Sequence, residues 1–163
     1  MPSIFHTSTP LAASAEMMFD FHSDPHNLTE VMPPTLTLVS LKTDGPAQEG
    51  RMIELHCRDW WVIPMRWTCR WKKVQRPHLL VDEIVKGPFT LFVHEHRFDA
   101  QGRSNCIMHD TVTYQWGRSW CAALFDGAVQ VSALPHSEMG GAKRRQAASM
   151  MDMTHKLEKY EST

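Results

Sequence analysis

Several things are missing from this chain, and each absence closes off a class of function. There are only four cysteines, Cys57, Cys69, Cys106 and Cys121, with no CxxC pair and no ladder of regular spacings. That pattern argues against a disulfide framework and predicts free thiols in a reducing, cytoplasmic setting. No apolar run approaches the length of a bilayer span, and the N-terminus lacks a signal peptide's charged and apolar regions, so no membrane insertion is expected. Strong charge is missing too: the formal net charge is -1 and the pI is near 6.8. Such a balance gives no electrostatic footprint for nucleic acid or an anionic membrane. The one basic cluster, Lys143-Arg144-Arg145, reads as the solvated face of a helix. No GxSxG is present and no cysteine stands in a recognisably electropositive setting, so nucleophilic catalysis finds no support. Gly140-Gly141 lacks the rest of a phosphate-cradling motif. There is no internal repeat, linker or low-complexity segment.

What is present is a 163-residue chain, one domain (1–163) by length and large enough to bury about 70% of its unfolded surface. Its 11 methionines, 6 tryptophans and 7 phenylalanines are large or pliable side chains. They suit a cavity that adapts to its contents, and equally an irregular core.

The stretch from Gly87 to Tyr114 organises the rest. It reads as two long antiparallel strands around Asp99-Ala100-Gln101-Gly102, a type I turn closed by a left-handed glycine that pairs Asp99 with Arg103. Side chains alternate along a strand. Phe92, His94, His96 and Phe98 therefore share a face with Cys106, Met108, Asp110, Val112 and Tyr114. The opposite face carries Glu95, Arg97, Arg103, Asn105, His109, Thr111 and Thr113. The first face is the more apolar and is expected to point inward, taking two histidines and an aspartate with it. On this register His94 lies opposite Met108 and diagonal to Asp110, and Cys106 lies opposite His96. Buried polar groups cost roughly 1–3 kcal/mol unless paired. The cluster is thus either the polar end of a ligand cavity or a hydrogen-bonded core network.

Upstream, Ser3–Thr7 is a short strand. Ser14 caps a helix running to about His22, with Met17, Met18 and Phe21 on one side. Asp24-Pro25 starts a second, short helix from Pro25 to Val31, ended by Pro33-Pro34. Strands follow at Leu36–Lys42, Arg51–Arg58, Met65–Gln75 and Leu79–Val85, and the short turns argue for an antiparallel meander. In the third of these Trp67, Cys69 and Trp71 alternate with Arg66, Thr68, Arg70 and Lys72. Asp59 to Pro64 is a connector with two adjacent tryptophans that shield the core or meet a ligand. Asp82, Glu83 and Lys86 read as a solvated strand end. Trp116 to His136 has weak periodicity and reads as irregular. Ala142–Tyr160 is a helix whose Met150, Met153, Leu157 and Tyr160 form one apolar stripe.

The order is strand, two short helices, six antiparallel strands and a long helix. An α+β architecture follows, in which a curved sheet of about seven strands must cover its apolar face with the last helix. At this point the sequence resembles a known family. Ser23-Asp24-Pro25-His26-Asn27-Leu28, Met32-Pro33-Pro34, Val81-Asp82-Glu83, Lys86-Gly87-Pro88-Phe89, His94-Glu95-His96-Arg97-Phe98 and Asp110-Thr111-Val112-Thr113-Tyr114 are similar, in order, to the SRPBCC proteins. These form the START, polyketide-cyclase and birch-pollen-allergen-like helix-grip superfamily, here in its small bacterial stand-alone form. The resemblance covers about residues 4 to 116, and the chain departs from the pattern after Tyr114. It implies a cavity for a hydrophobic small molecule between sheet and last helix, with no cofactor, in a monomer or homodimer. Fold alone does not fix function.

Three readings of the cluster follow. The first is a binding protein whose ligand meets Trp67, Trp71, Phe92, His94, His96, Phe98, Met108, Asp110, Val112, Tyr114, Met150, Met153 and Leu157. The second is a cyclase, dehydratase or isomerase with His94 as general base, Asp110 as its orienter and Tyr114 as hydroxyl donor to an oxyanion. The third is a metal site at His94 and His96 with Cys106.

Overall fold

Ser14 begins the helical part of the chain as its position suggests: its hydroxyl accepts a hydrogen bond from the Met17 N–H at 3.2 Å, which satisfies one orphan donor of the first turn. The helix it caps, α1, spans Ala15–Ser23. Asp24 then accepts from the His26 N–H at 3.0 Å. With Pro25 at the first position, the chain enters a 3-10 turn, Pro25–Asn27, and a single α-helical turn, α2, Leu28–Val31. The sequence reading of one helix from Pro25 to Val31 is thus right in extent, but its first turn is tighter.

The computed structural model describes residues 1–32, 36–59 and 63–117. The expected helix Ala142–Tyr160 with Met150, Met153 and Leu157, the two-tryptophan connector, Cys121, Pro33-Pro34 and the irregular stretch after residue 117 lie outside the described residues.

Seven strands form one antiparallel sheet. They are β1 (Ser3–Leu11), β2 (Leu36–Thr43), β3 (Met52–Asp59), β4 (Ile63–Gln75), β5 (Leu79–Lys86), β6 (Phe89–Ala100) and β7 (Cys106–Trp116). Their spatial order is β1-β7-β6-β5-β4-β3-β2, so β2 to β7 meander and β1 returns to close beside β7. β1 runs four residues beyond its expected end, through Pro10, and reaches Leu11. Proline is tolerated there because β1 is an edge strand with β7 as its one neighbour. Register shifts interrupt the β2–β3, β4–β5 and β6–β7 pairings; such bulges add twist and curl the sheet.

The β6–β7 hairpin corrects the expected register. Asp99 pairs with Ile107, not Arg103, and His94 pairs with Val112, not Met108. The loop is longer than a type I turn closed at Gly102. Ala100 still pairs with Cys106, the Gln101 N–H bonds the Asn105 carbonyl at 2.8 Å, and Gly102 takes φ +97 inside the loop. The displacement is four residues (103 to 107), an even number, so every side chain stays on the face assigned to it.

That inner face holds the core. Ile53, Leu55 and Cys57 of β3, Cys69 and Trp71 of β4, Leu80 of β5, Phe98 of β6 and Cys106 and Met108 of β7 are buried with Ala15, Met18 and Phe19 of α1. Leu80 and Phe98 are 0% exposed, and burial of each such side chain contributes about 1.5–3 kcal/mol. α1 seats itself here, Phe19 meeting the edge of Phe98 at 6.1 Å between ring centroids. Among the described residues no helix is long and apolar enough to cross a membrane.

Candidate functional site

The inner face is apolar except for one patch where β5, β6 and β7 run side by side. Strand pairing puts Asp82 opposite His94, and His96 opposite Asp110. His22 arrives from α1, its ring 5.2 Å from that of His96. Three imidazoles and two carboxylates therefore converge where their neighbours are Leu80, Val112, Phe98 and Met108.

Geometry orders this cluster. His96 Nδ1 donates to Asp110 Oδ1 at 2.5 Å, a charge-assisted bond that fixes its tautomer and leaves Nε2 with a lone pair. His94 Nε2 stands 3.6 Å from the same oxygen, and the His94 and His96 rings are 3.9 Å apart. His22 Nδ1 donates to the Met18 carbonyl at 2.8 Å, an i to i−4 bond along its own helix.

The charges sort accordingly. Burial pushes the Asp110 carboxyl up, but the hydrogen bond from His96 and the close imidazole of His94 overcome it and hold it well below the usual carboxylate range. For His94, burial opposes protonation, yet the neighbouring carboxylates of Asp110 and Asp82 win and raise it. His96 goes the other way: burial and the neighbouring His94 lower it despite its short bond to Asp110. His22, buried and next to His96, is lowered to about 4. Burial also raises Asp82, with His94 countering part of that rise. His96 has the shorter bond, but His94 lies between two carboxylates, so of the two rings His94 is the one whose protonated form is favoured. The result is an ionised Asp110 beside two imidazoles pushed in opposite directions, His94 toward holding a proton and His96 toward releasing one.

This arrangement differs from the sequence expectation in its roles. Asp110 orients His96 more closely than His94, so the histidine placed to accept a proton is His96. Cys106 pairs with Ala100, not His96, which removes it from a metal set built on that pairing. Asp82, expected at a solvated strand end, instead faces the cluster in alternation with Leu80 and Ile84. Its inward parity was available in Leu80-Asp82-Ile84 but is masked by the apolar run Leu79–Val81. His22 was not singled out either, although Ala15, Met18, Phe19 and His22 recur at helical spacing on the side that packs against the sheet.

The other expected contact residues are dispersed along the inner face. Val112 lies opposite His94 and Phe92 opposite Tyr114; the Tyr114 ring meets that of Phe89 at 6.5 Å. Phe98 is sealed between Phe19 and His22 and belongs to the anchor for α1. Trp71 pairs with Asp82. The indole N–H groups of Trp67 and Trp71 are buried without an acceptor among the described residues. Trp67 also borders a depression of about 290 Å³ whose rim includes Glu54, His56, Arg66 and Lys86, residues that alternate away from the inner face.

Solved structures share this fold. The Zhui aromatase/cyclase from Streptomyces sp. R1128 superposes with a TM-score of 0.70 at 12% identity, covering 96% of each chain. Norcoclaurine synthase from Thalictrum flavum, in complex with dopamine and hydroxybenzaldehyde, gives 0.62 at 15% identity over 96% of this chain and 88% of that one. A protein from Thermus thermophilus, TTHA0849, gives 0.62 at 15% identity, over 90% of this chain and 99% of the other. No curated protein sequence matches. Residues 11–153 match the family model described as polyketide cyclase / dehydrase and lipid transport.

Proposed function

The chain belongs to the polyketide cyclase / dehydrase and lipid transport family, a helix-grip family as its sequence motifs suggest, and from that membership we propose that it binds a hydrophobic small molecule of lipid, polyketide or aromatic type. The apolar body of the ligand lies on the inner face of the sheet, and its polar end meets His94, His96 and Asp110. The observation that carries this reading is the cluster itself: an ionised carboxylate and two imidazoles grouped on a face otherwise built of Leu, Val, Met and Phe. A ring N–H of His94 donates to a ligand carbonyl or phenolate oxygen, and Nε2 of His96 accepts from a hydroxyl. Two buried indole donors, Trp67 and Trp71, lack acceptors among the described residues; each such group costs about 1–3 kcal/mol, which a ligand oxygen would relieve.

The test is native mass spectrometry of untagged protein, paired with displacement of an environment-sensitive naphthalene dye. One apolar compound or dye per chain is expected, released by a competing polycyclic phenol. Protein that carries no compound and leaves the dye in water contradicts the reading.

A second reading is acid–base catalysis of the cyclase or dehydratase type, favoured by the 2.5 Å bond from His96 Nδ1 to Asp110. A carboxylate that fixes the tautomer of an imidazole whose other nitrogen is free is the arrangement of an oriented general base. His96 is the base here and Asp110 its positioning residue. His96→Ala is expected to slow turnover of a model poly-β-ketone by roughly 10²–10⁴; unchanged turnover removes the role.

A further inference from the structure

The geometry points to a divalent transition-metal site formed by Asp82, His94 and His96, with Asp110 holding His96 from behind. One ligand atom from each of the three lies within 4.8 Å of the other two. The three come from adjacent strands, Asp82 and His94 as direct partners across β5 and β6 and His96 two residues further along the same face. A metal bound about 2.0–2.2 Å from each donor brings the donors to roughly 3–3.5 Å apart. The carboxylate and imidazole torsions close that difference while the strands stay in place.

The donor set selects the ion. Two imidazoles and one carboxylate suit zinc or ferrous iron over magnesium or calcium, which prefer all-oxygen shells. Three protein ligands leave at least one coordination position for water or a ligand oxygen. Asp110 adds the feature that metal-binding histidines regularly show: a carboxylate on the ring nitrogen away from the ion. The bond from His96 Nδ1 to Asp110 commits that nitrogen and leaves Nε2 as the ligand. Asp82 receives no hydrogen bond from another side chain among the described residues, only one from its own backbone N–H, so carboxylate lone pairs remain for an ion.

This site stands on those three side chains and does not depend on the apolar ligand. The experiment uses untagged full-length protein stripped with EDTA, titrated calorimetrically with Zn²⁺ and followed by visible absorption with Co²⁺. One saturable equivalent is expected. Asp82→Asn, His94→Gln and His96→Gln should each weaken binding at least about tenfold, and Asp110→Asn by about 10–100-fold. Cys106→Ala and His109→Ala should leave binding unchanged, and the Co²⁺ spectrum should lack a thiolate charge-transfer band. Circular dichroism confirms that each variant is folded; the near-isosteric Asp82→Asn keeps the test open should a histidine variant unfold. Absence of a saturable equivalent, or an affinity that survives both Asp82→Asn and His94→Gln, overturns the site. Failure of metal binding leaves dye displacement untouched, so the two readings fail separately.

Discussion

Two histidine clusters sit on opposite faces of the sheet where β1, β7 and β6 run side by side, and the difference between them shows what the sheet's inner face does. On the outer face His109 accepts from or donates to Ser8 at 2.7 Å, stacks on His6 at 6.1 Å and approaches Asp99 at 3.2 Å; His6 in turn meets Thr111 at 2.9 Å. On the inner face His94 and His96 share Asp110. The residue types match, but the Asp99 side chain is 52% exposed and that of Asp110 is 16% exposed. Water screens the outer network and leaves each member close to replaceable. The inner network has to satisfy itself: two carboxylates raise His94 against the effect of burial, while burial and His94 lower His96. A chemically differentiated pair arises from where the carboxylates stand within a buried face, and not from composition alone.

The largest effect separating the two faces should come from packing. Phe98→Ala removes a fully buried ring that seats α1 and is expected to cost about 3–5 kcal/mol. Val93→Ala on the outer side of the same strand should cost less than about 1.5 kcal/mol. Equilibrium urea unfolding checks both, and equal costs would erase the distinction.

Acid should discriminate next. The folded-state pKa of His22 is depressed from 6.5 to about 4, so between those values the unfolded chain binds the extra proton and stability falls as pH falls. His96 acts in the same direction. His94, whose pKa is raised, acts oppositely and contributes stability that is lost as pH rises. In metal-stripped protein the fall from pH 6.5 to 4 attributable to His22 is on the order of 3 kcal/mol. His22→Leu should remove most of that fall, measured by unfolding at stepped pH; an unchanged profile would refute the burial of this imidazole.

Asp110→Asn follows. Replacing a carboxylate that serves two imidazoles should cost about 1.5–3 kcal/mol, read as a shift in the urea midpoint. The corresponding outer substitution, Asp99→Asn, should lie within about 0.5 kcal/mol. The smallest effect belongs to His109→Ala, also expected within about 0.5 kcal/mol.

Much of this comparison was legible in the residues. Alternation assigned Phe92, His94, His96, Met108, Asp110 and Val112 to one face, and that survived an error in the hairpin loop because a four-residue slip preserves parity. Pairing within the face was not legible: Asp99-Ala100-Gln101-Gly102-Arg103-Ser104-Asn105 admits a left-handed glycine near either end of a loop, and only packing along both strands decides between them. Asp82 was hidden for a different reason. Three apolar residues precede it, so local alternation gives no contrast and a carboxylate beside Glu83 and Lys86 reads as solvent-facing. His22 was reachable, since Ala15, Met18 and Phe19 predict its side of the helix, but a single imidazole in an amphipathic segment carries no mark of the carboxylates that two distant strands bring to it.

An apolar ligand should meet the inner imidazoles and not the outer ones. Long-range proton–nitrogen spectra of the histidine side chains, recorded on metal-stripped protein during titration with a polycyclic phenol, test this directly. Saturable, one-equivalent shifts are predicted for His94 and His96, with His6 and His109 unmoved. Shifts confined to the outer pair, or no saturable change at His94 and His96, would contradict the account.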